Sequence, residues 1–243
     1  MFTDILTVAR KELKEILVQR GSLRTGMSNL VIVIGIMGIL FPLQNGLDWL
    51  TNPFSLWTVI WLPLLMSMGL IADSFAGERE RHTLETLLAT RLSDRAILFG
   101  KITTAVAYTL GLTFTGALLG AVTLNIQYPG AGFYLPFTLL GLLIFTLLGS
   151  LLLSGMGVLV SLRADSVRQA YQRMSIGYLV LLLPLTFAPN FLPQETLRQI
   201  STWLAGLNML QAGAVAGTLL LLIDVVLIAI SLARFQRARL IAD

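Results

Sequence analysis

The 243-residue sequence contains no cysteine and a single histidine, His82. Without cysteine the chain forms no disulfide, no cysteine-ligated metal site and no thiol nucleophile. One histidine also excludes the H-E-x-x-H motif of zinc proteases, which needs two. Charged residues are scarce at 12%, whereas soluble domains usually carry about 25%. The sequence therefore lacks the residues for the commonest metal and thiol chemistry, and its low charge is unusual for a soluble protein.

Two further enzyme motifs are missing. No G-x-x-x-x-G-K-[ST] run is present, and the Gly100-Lys101 pair is followed by Ile102, so the chain has no phosphate-binding loop of its own. Ser154, in LLSGMG, lacks the first glycine of the G-x-S-x-G nucleophile elbow. A membrane-embedded enzyme remains an alternative function, but no catalytic set supports it.

What the sequence has instead is apolar residues. They make up 56% of the chain and the mean hydropathy is +0.81, which indicates a multi-pass membrane protein in contact with the lipid bilayer. Short loops rich in Lys and Arg stay on the cytoplasmic side of a membrane, so the net charge of +4 needs no nucleic-acid partner to explain it.

The basic residues are unevenly placed along the chain. Sixteen of the 17 fall in four clusters, and only Arg198 is left over. The clusters are Arg10, Lys11, Lys14, Arg20 and Arg24; Arg79, Arg81, Arg91, Arg95 and Lys101; Arg163, Arg168 and Arg173; and Arg234, Arg237 and Arg239. Because each cluster marks a cytoplasmic segment, the pattern predicts that both termini are cytoplasmic.

The apolar segments between these clusters predict an all-α protein with six transmembrane helices. The predicted spans are 27–43, 55–75, 102–125, 134–160, 174–188 and 211–233. The fifth is short, because it is bounded by Arg173 and Pro189 and contains Pro184. Two amphipathic helices are predicted beside the spans: an interfacial helix within 1–24 at the inner surface, and a short helix within 190–208 in the outer leaflet. A plain surface helix and an amphipathic loop remain the respective alternatives.

The connection 76–101 is the most informative polar segment. Arg81 stands three residues after Glu78 and four before Glu85, so ion pairs are predicted along one helix face. An apolar ridge lies beside these charges: Leu84, Leu87 and Leu88. Ser93 and Asp94 provide N-cap chemistry for a second helix. The pattern predicts a helix, a turn and a helix that project from the membrane, or a loop that folds back on the other cytoplasmic segments.

The run GERERHTLETLLATRLSDRAILFGK resembles the cytoplasmic loop of ABC-2 type permeases, the membrane subunits of a large class of ABC exporters. The residues that carry the resemblance are Glu80, Thr83, Leu84, Glu85, Leu87, Leu88, Ser93, Gly100 and Lys101. ARKELKEILVQRGSL is similar to the family's surface helix, and GMGVLVSLRADSVRQAYQ to the end of its fourth span. The sequence departs from the family at His82, where glycine is frequent, and at Thr90-Arg91, where a small residue and proline are common.

The resemblance implies a permease that binds no cofactor itself, with ATP and Mg on a separate ABC ATPase subunit. It also implies a second permease copy or homologue and a location in the cell (inner) membrane. Export is favoured over import, because the Glu-Ala-Ala loop pattern of importers is absent. The implied ATPase-coupling loop comprises Glu78, Glu80, Arg81, Thr83, Leu84, Glu85, Leu87 and Leu88.

Asp224 is the one ionisable residue near the middle of a predicted span. Intramembrane carboxylates often mark ion or substrate pathways, so Asp224 is a candidate for the translocation path. An ion-coupled secondary transporter is therefore an alternative function, although such carriers usually place several ionisable residues inside the bilayer. A protonated carboxyl, hydrogen-bonded between packed helices, is the structural alternative for this residue.

Overall fold

The computed structural model describes residues 1–17, 23–83, 86–87, 89–191, 193–206 and 208–235, and every regular element among them is helical. The helices are α1 (Phe2–Leu17), α2 (Leu23–Gly35), α3 (Phe41–Asn45), α4 (Asp48–Thr51), α5 (Pro53–Glu80), α6 (Asp94–Gln127), α7 (Pro136–Ser161), α8 (Val167–Phe191), α9 (Gln194–Ala205) and α10 (Met209–Arg234). A π-helical stretch, Ile36–Leu40, joins α2 to α3. The predicted all-α class is therefore confirmed.

Among the described residues, four helices are long and apolar enough to cross a membrane: α5, α6, α7 and α10. They correspond to the predicted spans 55–75, 102–125, 134–160 and 211–233. For the first predicted span, 27–43, the apolar part of the helix is the shorter Leu30–Asn45. The count of six spans thus stays a prediction.

The predicted fifth span, 174–188, lies within a longer helix. α8 begins at Val167 and runs through Pro184 and Pro189 to Phe191, a length of 25 residues. At 1.5 Å per residue it is about 37 Å long, so it is not the short segment that the prolines suggested. Proline is tolerated in transmembrane helices, where local backbone adjustments and neighbouring helices satisfy the freed carbonyl.

The helix core forms where α5, α6, α7 and α8 pack together, and glycines allow the closest approaches. A Cβ atom added at Gly157 in α7 would overlap Ile71 of α5 and lie 2.8 Å from Met174 Cε of α8. At Gly100 in α6, an added Cβ would lie 2.6 Å from Val8 Cβ, so this glycine lets α1 pack directly on α6. The inner end of the bundle therefore includes the N-terminal helix.

The two predicted amphipathic helices are present, with different surroundings. α1 buries Val8 and Ala9 while Leu6 stays exposed, so one face of the helix packs on protein. Its location at the inner membrane surface stays a prediction. Residues 18–22 of the predicted segment 1–24 lie outside the described residues. α9 spans Gln194–Ala205, close to the limits that Pro193 and Gly206 predict. Its depth in the outer leaflet stays a prediction.

Candidate functional site

The C-terminal end of α5 opens the predicted coupling loop, and its backbone forms a Schellman motif. The N–H of Thr83 donates to the carbonyl of Glu78 at 2.8 Å, and the N–H of His82 donates to that of Arg79 at 3.0 Å. His82 takes the left-handed position of this motif, with φ at 56°. Glycine is the usual residue there because it lacks the steric penalty of a Cβ atom. The geometry thus explains why glycine suits this position, where the family often has it.

A buried ion cluster lies just before this end and centres on Lys101. Its Nζ atom donates to Glu12 Oε1 at 2.9 Å, to Glu78 Oε1 at 3.1 Å and to the carbonyl of Ser74 at 2.7 Å. The side chain of Lys101 is 2% exposed and lies 5.1 Å from the centre of the Phe75 ring. The cluster joins α1, α5 and α6 at one point.

Arg79 and Glu80, which follow Glu78 in α5, bind the connection between α7 and α8. Arg79 Nη1 donates to the carbonyl of Ala164 at 3.1 Å, and Nη2 donates to that of Leu162 at 2.9 Å. These carbonyls follow the last turn of α7, where helix carbonyls lack partners in the helix itself. Glu80 Oε2 accepts from the N–H of Val167, the first residue of α8, at 3.0 Å. One turn of α5 therefore contacts the inner ends of both helices.

Arg81 was predicted to pair with Glu78 and Glu85; the second pair lies outside the described residues, and in place of the first Arg81 binds Asp73. Its guanidinium contacts Asp73, with Nη1 at 3.1 Å from Oδ1, whereas Glu78 pairs with Lys101 and Lys11. The predicted Glu78–Arg81 pair is therefore wrong. Gly77 makes the observed pair accessible, since a Cβ atom there would overlap Asp73 and lie 3.0 Å from Arg81 Nη2.

Two basic residues at this surface keep their charge. Burial alone would lower the pKa of Arg81, but the hydrogen bond and the charge of Asp73 raise it above its usual value. Burial likewise lowers the pKa of Lys11, but the nearby charges of Glu15, Glu78 and Glu12 raise it by more, so the net result is a pKa above the usual value. Both side chains are thus cationic at physiological pH.

The remaining loop residues are only partly described. Leu84, Glu85 and Leu88 lie outside the described residues. Leu87 packs against the apolar cluster around Phe75 and Ile97, so this member of the predicted ridge faces the chain itself. The predicted cap at the start of the second helix is confirmed, because Ser93 Oγ accepts from the N–H of Ala96 at 3.2 Å.

Asp224 lies apart from this cluster, on the face of α10 that packs against α7. It is 2% exposed, and neither carboxylate oxygen has a hydrogen-bond partner among the described residues. The predicted alternative of a hydrogen-bonded carboxyl is therefore wrong for the part of the chain that the structure describes. Its role in a translocation path stays a prediction.

Residues 3–222 match the model of the ABC-2 type transporter family, which covers most of the chain and ends within α10, two residues before Asp224. The chain belongs to this family. No curated protein matches the chain. As an ABC-2 family member it is a multi-pass membrane component of an ABC-type transporter and a permease, not itself a catalytic subunit. Permeases of this family typically work with an ATP-binding subunit.

Sequence reasoning missed the buried ion cluster that Lys101 forms. Gly100 and Lys101 matched the family pattern. Nothing in the sequence predicted that Gly100 leaves room for α1 to pack or that Lys101 binds Glu12 of that helix. A signal existed, since a lysine in the first turns of an otherwise apolar helix needs a buried partner. Arg79 was likewise counted only as part of a basic cluster, although its guanidinium spans two carbonyls.

Proposed function

We propose that this permease is the membrane subunit of an exporter that pairs with a second copy or a homologue in the cell (inner) membrane. Two separate ATPase subunits, which carry ATP and Mg, dock on the loop after α5 and drive the cycle. Closure of the ATPase pair pushes on residues 78–92, and the helices rock to open outward. The substrate crosses away from the cytoplasm.

The observation that supports this cycle is the set of contacts made by three consecutive residues. Glu78 binds Lys101 of α6, which also holds α1; Arg79 binds the end of α7; Glu80 binds the start of α8. A load on the following loop therefore acts on four helices at once. Nucleotide binding can shift a permease only through contacts that differ between its conformations. This turn of α5 contacts four helices, so we expect contacts of that kind here.

The exposed part of the loop suits docking by another subunit. Arg81, His82 and Thr83 are exposed, as are Ala89, Thr90 and Arg91 on the return towards α6. These residues flank the segment that holds Glu85. Electrostatic attraction between Arg81 and a carboxylate on the ATPase would steer the two subunits together.

Photo-crosslinking tests the docking site. A photoreactive amino acid replaces Arg91 in the full chain, is activated in native membranes, and the attached protein is identified by mass spectrometry. We expect an ATPase, recognised by its phosphate-binding-loop peptide. The matched control is Phe133, which is 62% exposed in the connection between α6 and α7 on the predicted outer side. Equal yields of the ATPase from both positions, or none from Arg91, would contradict the proposal.

A charge reversal tests the coupling itself. Arg81→Glu combined with Glu85→Lys should leave membrane insertion unchanged and abolish stimulation of the co-purified ATPase by the permease in liposomes. Wild-type stimulation by this double variant would mean that the loop charges do not couple the two subunits.

A further inference from the structure

A cavity of about 990 Å³ lies at the inner end of the helix bundle, between α1, α5, α6 and α7. This volume is at the upper end of the range for small-molecule sites, about 300–1,000 Å³. The cavity begins at the charged residues beside α1 and reaches Gly69 of α5 and Ser154 of α7. Nine residues separate Gly69 from Glu78, so the cavity extends about 14 Å along α5.

The lining of the cavity has one negative charge in excess. Four carboxylates line it, those of Glu12, Glu15, Asp73 and Glu78, together with three basic groups, those of Lys11, Arg81 and Lys101. Each basic group already contacts a carboxylate: Lys101 contacts Glu12 and Glu78, Lys11 contacts Glu15 and Glu78, and Arg81 contacts Asp73. A cation therefore suits the cavity better than an anion.

The deepest basic group has no hydrogen left for an anionic ligand. An ammonium group has three donors, and Lys101 uses all three on Glu12, Glu78 and the carbonyl of Ser74. A phosphate or carboxylate entering the cavity would have to break one of these buried bonds.

Glu78 offers an unused acceptor at the same place. The residue is 4% exposed, and its Oε2 atom has no hydrogen-bond partner among the described residues. A buried carboxylate oxygen without a donor is unfavourable, so a ligand that supplies an N–H group here relieves that cost. A quaternary ammonium has the charge but no such hydrogen.

Beyond the charged end, the wall of the cavity is mostly aliphatic, with Leu70, Ile71, Ile102, Ala105 and Val158. Three hydroxyl residues also line the cavity, and each donates to a carbonyl of its own helix: Ser74, Thr104 and Ser154. A Cβ atom added at Gly69 would have no atom within 4 Å, so open space adjoins this glycine. The lining thus changes from charged to aliphatic over the length of one short hydrocarbon chain.

We propose that this cavity binds a primary ammonium group carried on an aliphatic chain, with the ammonium at Glu78 and the chain along α5 towards Gly69. The binding goes beyond the proposed export cycle and does not depend on it, because it needs only the inner ends of four helices of one chain. The ammonium belongs to a free alkylamine, because the phosphate of an aminophospholipid headgroup would have to break one of the buried bonds of Lys101.

Equilibrium binding of radiolabelled decylamine to the full chain tests this proposal, with the chain in phosphatidylcholine nanodiscs and empty nanodiscs as the blank for partitioning. We expect saturable binding that unlabelled decylamine displaces. Decanol, decanoate and decyltrimethylammonium should displace it poorly, because they lack the charge, carry the wrong charge or lack the N–H group. Equal displacement by decanol or by decyltrimethylammonium would overturn the proposal.

Two variants locate the site. Glu78→Gln retains an acceptor for Lys101 and should weaken decylamine binding about tenfold, because a charge-assisted hydrogen bond becomes a neutral one. Gly69→Leu should weaken it by about tenfold or more, since the new side chain displaces methylene groups of the ligand. Its matched control is Gly141→Leu in α7, another helical glycine with no atom within 4 Å of an added Cβ and not part of the cavity lining.

The outcomes are distinct. Binding that is weakened by Gly69→Leu and retained in Gly141→Leu supports the site even if Glu78→Gln folds poorly. Wild-type affinity in both Gly69→Leu and Glu78→Gln refutes it. Phosphatidylethanolamine in the nanodiscs should leave decylamine binding unchanged, and competition by this lipid would contradict the exclusion of phosphate from the cavity.

Discussion

Replacing Lys101 with methionine removes the cation that joins three helices while retaining much of the side chain's length. Glu78 and Glu12 would lose their shared partner at side-chain exposures of 5% and 16%. The carbonyl of Ser74 would lose a 2.7 Å hydrogen bond as well. Among the described residues, the variant therefore leaves Glu12 without its contacting cation and Glu78 with only Lys11, at 3.6 Å, in a region where little water can reach them.

The size of the effect follows from this burial. Removing one partner of a buried ion pair typically costs about 3–5 kcal/mol, because the remaining charge stays desolvated. For a chain of this length, about 1 kcal/mol lowers Tm by about 2–4 °C, so Lys101→Met should lower it by about 6–20 °C. Part of this loss should return when Glu78 is neutralised too. The double variant Lys101→Met with Glu78→Gln should be destabilised by about 0.5–3 kcal/mol less than the sum of the two single variants.

Thermal denaturation of the purified permease in one detergent measures these shifts. Lys14→Met is the matched control, because it removes the same charge at an exposed position of α1. We expect the control to remain within about 0.5 kcal/mol of the wild type, as surface substitutions usually do. A Tm for Lys101→Met as close to the wild type as that of the control, or strict additivity in the double variant, would refute the reasoning.

Substitutions at three further positions probe the stability of the bundle, each by Tm. The His82→Gly variant should be more stable than His82→Val by about 1–2 kcal/mol, because φ is 56° and a β-branched residue is strained there; equal stability would contradict the left-handed turn. Ser93→Ala should cost about 0.5–2 kcal/mol by removing the cap of α6, and Ser93→Asp should preserve it. Gly157→Ala should destabilise by about 1–3 kcal/mol through overlap with neighbouring helices. Its control, Gly111→Ala, meets no atom and should be neutral or stabilising.

Local features of this permease were predictable from sequence, and long-range ones were not. The cap at Ser93 and the limits of α9 depend on a few neighbouring residues, so the local sequence was enough to predict them. The partner of Arg81 was wrong, because Asp73 is eight positions away and becomes reachable only across Gly77. The length of α8 was not predicted, because the fifth span was ended at Pro189, whereas the helix continues to Phe191, and helices in membranes tolerate proline.

The ion cluster shows why burial could not be deduced. Whether Lys101 is solvated or buried depends on α1, which lies about ninety positions earlier and covers it only because Gly100 leaves room. Spacing along the sequence contains no information about such an approach. A lysine in an apolar helix indicates that a partner exists, but the partner's identity requires the packed structure.

The spacing of Glu78, Arg79 and Glu80 explains how a single turn contacts so many helices. Successive residues of an α-helix point in directions about 100° apart, so three consecutive side chains reach around most of the helix circumference. Glu78 is thereby directed to α1 and α6, while Arg79 and Glu80 reach the ends of the α7–α8 hairpin. The contacts of Glu78 with Lys101 and those of Arg79 and Glu80 with the hairpin share no side chain, so a substitution can remove one set and leave the other in place. Arg79→Gln should therefore loosen the hairpin while leaving the Lys101 cluster intact, and Lys101→Met should do the reverse. If both variants reduce stimulation of the ATPase to the same degree, the proposed coupling depends on α5 itself and not on either set of contacts alone.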